Sequence, residues 1–127
     1  MRRPEPLHLD DTIARPPAGT LLAQIDALPA HGGKDVLFKK GDHQINIFIQ
    51  KSGEKLHVFE NRCPHAGTPL NMFGDKFLSL DGAYILCRTH GALFDKVSGK
   101  CTGGPCKGDY LRPIAFEVRE DGGIYST

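Results

Sequence analysis

The 127-residue chain has almost no net charge, no long apolar run, no internal repeat and no heptad pattern. Sixteen Lys and Arg stand against fifteen Asp and Glu, a formal charge of +1. That balance provides no overall field for a polyanion, so nucleic acid is a poor candidate partner. No segment approaches the ~20 apolar residues that a bilayer-crossing helix requires. The start, Met1-Arg2-Arg3-Pro4, carries a twin arginine, yet Glu5, His8, Asp10 and Asp11 follow where an export signal needs a continuous apolar stretch. The expectation is therefore a cytoplasmic protein, with reducing surroundings for its cysteines. Those number only four. They could form two disulfides in a small secreted protein. Against that stand a composition of 39% hydrophobic residues, enough for one modest core, and two cysteines each within three residues of a histidine. Metal ligation is the better first hypothesis.

What is present is a series of short strand patterns. Residues 1–19 hold Pro4, Pro6, Pro16, Pro17 and Gly19 without periodicity and read as an irregular N-terminal arm, with Leu7 and Leu9 available to pack on the remainder. Residues 20–127 read as a single domain. Leu21–Ile25 and Val36–Phe38 suggest strands, separated by a turn-rich connector, Pro29–Gly33. The clearest pattern is Gln44–Gln50, apolar at Ile45, Ile47 and Ile49, the alternation of a half-buried strand. Ser52-Gly53 marks a turn, and Lys55–Phe59 forms the second arm of a hairpin. Further strands are expected at Tyr84–Leu86, Leu93-Phe94, Ile114–Val118 and Ile124-Tyr125, with turns at Asp81-Gly82, Ser98-Gly99 and Asp121–Gly123. Helix is limited to a turn or two around residues 68–74. The fold class is all-β, an antiparallel sandwich or small barrel. The stretch 61–113 contains all four cysteines and many glycines, and reads as a loop-built subdomain on that scaffold.

Two motifs in that stretch carry chemistry: Cys63-Pro64-His65-Ala66-Gly67 and, after 21 intervening residues from His65, Cys87-Arg88-Thr89-His90-Gly91. Each places one soft thiolate and one imidazole on a short loop that ends in glycine. Leu93-Phe94-Asp95, Ser98-Gly99 and Gly104-Pro105 follow in order. The combination resembles the Rieske family, in which two cysteines hold one iron of a [2Fe–2S] cluster and two histidines the other. The resemblance spans roughly residues 20–120 and is strongest over 61–113. It implies Cys63 and Cys87 on the inner iron, His65 and His90 on the outer one, and Gly104-Pro105 in the loop that covers the cluster. The interval between motifs is a few residues longer than in most small Rieske ferredoxins, with the extra length near Met72–Leu80.

The ligand set suits an electron carrier. Two ferric ions, two sulfides and two thiolates leave the oxidised site neutral, so one electron adds a single buried negative charge. All-cysteine ligation would start from two. This is why histidine ligation raises the potential into the range of about −150 to +300 mV. High-potential members carry an extra cysteine in each motif and Ser and Tyr hydroxyls directed at the sulfurs. By the same resemblance, Thr68 and Thr89 stand here in place of those cysteines, Ala92 in place of the serine and Phe94 in place of the tyrosine. The low end of the range is expected.

The competing reading of the four ligands is a structural Cys2His2 zinc site, which usually pairs C-x₂₋₄-C with H-x₃₋₅-H and does not interleave them. Cys101 and Cys106 flank Gly103–Pro105, close to the cluster cover, either as thiols or as a loop-closing disulfide; in reducing surroundings, thiols are expected. His8, His31, His43 and His57 have no cysteine partner pattern and are expected in solvent. Met72 and Phe73 read as core under the longer loop or as an apolar patch beside the cluster. Arg62, Arg88, Lys107 and Arg112 are either ordinary surface charge or a basic rim for an acidic partner.

Three functions follow from the resemblance. The first is a soluble carrier that moves single electrons between a reductase and an oxygenase-type acceptor. The second is a non-catalytic Rieske subunit of an oxygenase complex. Catalysis itself requires a separate iron on a 2-His-1-carboxylate triad, and the remaining histidines, all before the first motif, do not supply one. The third is a [2Fe–2S] redox sensor.

Overall fold

In a computed structural model the described residues are 4–12, 14–28, 31–52, 54–64, 70, 83–87, 91–104 and 107–127, the side chains of 31, 32 and 52 aside. They form nine strands in three three-stranded antiparallel sheets. β1 (Leu21–Gln24), β9 (Gly123–Ser126) and β8 (Phe116–Val118) make the first, in the order β1-β9-β8. β2 (His31–Lys40), β3 (His43–Ser52) and β4 (Lys55–Glu60) make the second. The third, in the subdomain that carries the two motifs, comprises β5 (Ile85–Leu86), β6 (Leu93–Phe94) and β7 (Cys101–Gly103).

The middle sheet organises the rest because its central strand is buried on both faces. Ile45, Ile47 and Ile49 point into one core, where Leu22, Ala23, Val58, Ile114 and Ile124 meet them. Phe48, on the opposite face of β3, enters a second core with Phe59, Cys63, Leu70, Ile85, Cys87, Ala92, Phe94, Cys101 and Leu111. Phe48 and Phe59 are direct cross-strand partners, with ring centroids 5.6 Å apart. Each fully buried phenylalanine contributes about 1.5–3 kcal/mol by leaving water. β3 and β4 are thus a common wall between the scaffold and the motif-bearing subdomain.

Several expectations shift. The connector expected at Pro29–Gly33 is largely strand: His31, Gly32 and Gly33 pair with Ser52, Lys51 and Gln50. Ten consecutive pairs along β3 outweigh the weak strand preference of two glycines. The two-residue loop that closes this hairpin has Gly41 at φ +61°, a conformation glycine adopts at no steric cost. Ile25 leaves the first strand for a single 3₁₀ turn, Ile25–Ala27, and a second such turn covers Leu9–Asp11. The strand expected from Ile114 begins at Phe116; Ile114 instead forms an isolated bridge to Leu7. Gly123 belongs to β9 and not to the preceding turn. Cys101–Gly103, expected as loop, is a strand because its backbone pairs with β6. The N-terminal segment lies against the domain: Leu9 is fully buried, Leu7 N–H donates to Pro113 O at 2.9 Å, and Ala115 N–H donates to Leu7 O. The expected helical turn at 68–74 and the Asp81-Gly82 turn fall outside the described residues, Leu70 excepted.

Candidate metal centre

The first motif enters from the end of β4. Two anchors fix that entry. Asn61 N–H donates to Asn46 O on β3 at 2.8 Å, and the buried Asn61 side chain accepts from Leu70 N–H, also at 2.8 Å. Asn61 thus ties the chain before Cys63 to the chain after it, so the motif loop is held at its base on both sides. Glu60 N–H donates to Arg112 O at 2.8 Å, joining the return of the subdomain to the same strand end.

The second motif is closed by its own backbone. Cys87 N–H donates to Ala92 O and Gly91 N–H donates to Cys87 O, both at 2.9 Å. Gly91 sits at φ +72°, which a side chain would resist. Cys87 is therefore pinned through both of its backbone polar groups, immediately before the residues that carry His90.

Cys63 and Cys87 have no solvent exposure and share one apolar core with Phe48, Phe59, Leu70, Ile85 and Phe94. His65 and His90, with Thr68, Thr89, Arg88, Met72 and Phe73, lie outside the described residues. Among the described residues no three His, Cys, Asp or Glu side chains group as a metal site. Cys101 lies in the same core, and its Sγ lies 3.1 Å from Gly103 O, to which it donates. Cys106 is outside the described residues.

The loop after β7 packs directly on Ala92, the residue that follows the second motif. Gly104 has φ +92°, and a Cβ there would lie 2.8 Å from Ala92 Cα. Gly99, at φ +74°, is packed in a similar way, and a Cβ there would lie 2.8 Å from Cε1 of the Phe59 ring. The turn before Gly99 is organised by Asp95, whose Oδ1 accepts from Val97 N–H (2.9 Å), Ser98 N–H (2.8 Å) and Ser98 Oγ (3.2 Å). The Ser98 amide, with help from that of Val97 and the nearby His57, holds the Asp95 carboxyl below its ordinary value against the opposing effect of burial.

His57 departs from expectation. It is only half exposed, its Nε2 is buried, and its ring stacks on Phe59 at 6.3 Å between centroids. Its cross-strand partner Gln50 is fully buried. His8 and His43 are exposed, as expected, and His8 Nδ1 lies 2.9 Å from Thr127 O. The structure adds Asn61, Gly91, Ala92 and Gly104 as supports of the two loops, a role the sequence does not announce. A signal exists only for Gly91, which ends the second motif, and for Gly104 of the Gly104-Pro105 pair.

The fold and site together define a small antiparallel β protein that brings two cysteines from separate loops into one dry core. Comparison with known proteins makes it specific: residues 20–116 match the Rieske [2Fe–2S] domain, and the chain belongs to that family. Its cofactor is a [2Fe–2S] cluster. The donor chemistry fits, because soft thiolates in a water-free apolar setting suit an iron–sulfide centre and are costly there without a cation. Solved structures show the same fold. The ferredoxin of carbazole 1,9a-dioxygenase from Nocardioides aromaticivorans IC177 aligns with TM-score 0.65 and 22% identity over 87% of this chain and 98% of its own. A complex of reduced oxygenase and oxidised ferredoxin in carbazole 1,9a-dioxygenase aligns at TM-score 0.63 and 21% identity, covering 84% and 99% of the two chains. A ferredoxin of Sphingomonas yanoikuyae B1 aligns at TM-score 0.63 and 19% identity, over 85% and 96%. No curated protein sequence matches significantly. No helix among the described residues is long and apolar enough to cross a membrane.

Proposed function

We propose that this protein is a soluble one-electron carrier whose cluster is held by Cys63 and Cys87 on one iron and by His65 and His90 on the other. The observation that carries the reading is the placement of Cys63 and Cys87, from loops more than twenty residues apart, in one solvent-free core of a Rieske domain. The bound cluster supplies a reversible one-electron couple. The residues of the chain do the rest. Phe48, Phe59, Leu70 and Phe94 exclude water from the thiolate side, and the Cys87–Ala92 and Asn61–Leu70 hydrogen bonds keep both loops in place between redox states. A rigid, dry setting keeps the reorganisation accompanying electron transfer small.

The reading extends to a reductase as donor and an oxygenase-type acceptor, in the cytoplasm. It is supported by the similarity of the fold to a ferredoxin solved in complex with its oxygenase. It also extends to a potential at the low end of the range, about −150 mV. Ala92 and Phe94, both fully buried, bring no hydroxyl to the sulfurs.

The test is electron paramagnetic resonance of the dithionite-reduced protein, with iron and acid-labile sulfide analysis. A rhombic signal of the histidine-ligated type and about two irons and two sulfides per chain are expected. Stoichiometric zinc with no signal would overturn the reading.

A further inference from the structure

The exposed charge of this nearly neutral chain is divided between its two halves. Residues 61–113 carry seven Lys and Arg against four Asp and Glu, whereas the rest of the chain carries nine against eleven. The division is sharper at the surface. Among the described residues of 61–113, Arg62, Lys100, Lys107 and Arg112 are exposed and no Asp or Glu is. Asp95 is partly buried, with its carboxylate turned onto the amides of Val97 and Ser98, and Asp109 is half-buried. On the scaffold half, nine Asp and Glu are exposed among the described residues against six Lys and Arg.

Two of the exposed cations border a single cavity. Lys100, Cys101, Thr102, Lys107 and Gly108 line an open hollow of about 540 Å³. The buried Cys101 among its lining residues belongs to the same core as Cys63 and Cys87. Its rim is tied to the loop after β7 by Lys107 N–H donating to Gly104 O at 3.3 Å, and Gly104 lies against Ala92, which directly follows the second motif. No side chain fills the wall at Gly108, where even a Cβ would meet nothing within 4 Å. Among the described residues neither lysine is in an ion pair with a carboxylate.

We propose that this hollow, with Lys100 and Lys107 on its rim, is a docking site for the carboxylate side chains of an acidic surface on a protein redox partner. Two ammonium groups with no carboxylate partner among the described residues, beside an open hollow, attract carboxylates, and the net negative exposed charge of the scaffold competes little for the same partner. The combination orients an incoming acidic protein so that it meets the chain on the cluster half. Only the identity of the partner as a redox protein rests on the carrier reading above; the anionic chemistry of the ligand does not.

The probe is a fluorescein-labelled peptide of ten glutamates, bound to the cluster-loaded protein at low ionic strength and followed by fluorescence anisotropy. Changing both Lys100→Gln and Lys107→Gln should weaken binding about 3- to 10-fold, from exposed ion pairs acting together. Changing Lys39→Gln and Lys40→Gln, two exposed neighbours on the scaffold hairpin, should change it less than twofold. Added salt should remove the difference. Equal weakening in both double variants, or none in the first, overturns the proposal. The visible spectrum of each variant confirms that the cluster is retained. Failure of the carrier reading has a separate signature: reduced wild-type protein that is not reoxidised on mixing with hexacyanoferrate(III). That result would leave the peptide comparison fully interpretable.

Discussion

Replacing Gly104 by alanine tests how closely the cover loop and the second motif depend on each other. Gly104 is constrained twice, by a φ of +92° and by the proximity of Ala92, whose Cα would lie 2.8 Å from a new Cβ. The left-handed conformation alone costs about 1–2 kcal/mol for a residue with a Cβ. To reach an ordinary contact of about 3.4 Å the loop must also retreat by roughly 0.6 Å from backbone atoms that cannot rotate away, a further loss of about 1–2 kcal/mol by analogy with overpacking. Gly108 is the internal control. Its φ is similarly left-handed, at +96°, but a methyl group there would meet no atom within 4 Å. Gly108→Ala should therefore cost only the conformational part. At roughly 4 °C per kcal/mol for a chain of this size, Gly104→Ala should melt about 8–16 °C below wild type and Gly108→Ala about 4–8 °C below it. The assay is bleaching of the visible cluster absorption on heating, which should occur earlier in Gly104→Ala because Ala92 O is the acceptor of the Cys87 N–H. If the two variants melt and bleach together, the close approach to Ala92 has no energetic consequence and the reasoning fails.

Two further substitutions probe the site from other directions. Asp95 has a folded-state pKa below its ordinary 3.8, so its contribution is fully present above that value and lost as pH falls through the lower folded value. Asp95→Asn should thus cost about 1 kcal/mol at pH 7, by weakening acceptance from the 97 and 98 amides, and progressively less below pH 3.8; melts from pH 7 to pH 3 check this, and a deficit that grows on acidification would contradict it. Phe94→Tyr would place a hydroxyl in a fully buried position beside the cysteine core. If that group finds a cluster or cysteine sulfur, direct voltammetry should show a potential raised by some tens of mV. A retained cluster with an unchanged potential would show that Phe94 does not occupy the donor position.

The parts of this molecule legible in its sequence are those whose signal is local. Cys63-Pro64-His65 and Cys87-Arg88-Thr89-His90 stand out as spacings, and the alternation of Ile45, Ile47 and Ile49 gives one face of β3 directly. The other face is hidden because Phe48 and Gln50 look like the solvent side of an amphipathic strand. Phe48 is covered because Phe59, Leu70, Ile85, Phe94 and Leu111 gather over it in the second core. A related reason explains His57, whose alternation with Leu56 and Val58 is real but whose ring lies against Phe59 of the second core. Parts of β2 and β7 escape a sequence reading where glycine or cysteine supplies no pattern and the partner strand dictates the conformation. Supports such as Asn61 bridging to Leu70, or Gly104 against Ala92, depend on contacts between segments that no periodicity encodes.

The double burial of β3 and β4 has a consequence for how the cluster half can be stable at all. A subdomain whose own strands are two or three residues long cannot enclose a core by itself. It borrows Phe48 and Phe59 from the scaffold, and those two rings are held in register by the same strand pairs that align Ile47, Ile49 and Val58 on the opposite face. The scaffold therefore does not merely present the two loops; it provides the floor on which both cysteines become inaccessible to water. Cutting Phe48 or Phe59 back to alanine removes shared contacts of the two-sided wall, at about 3–5 kcal/mol for such a truncation. Loss of the cluster and loss of the fold are accordingly expected as one event when that wall gives way. They can separate when the damage is confined to the cover loop at Gly104, whose closest neighbour is Ala92 and neither of the two rings.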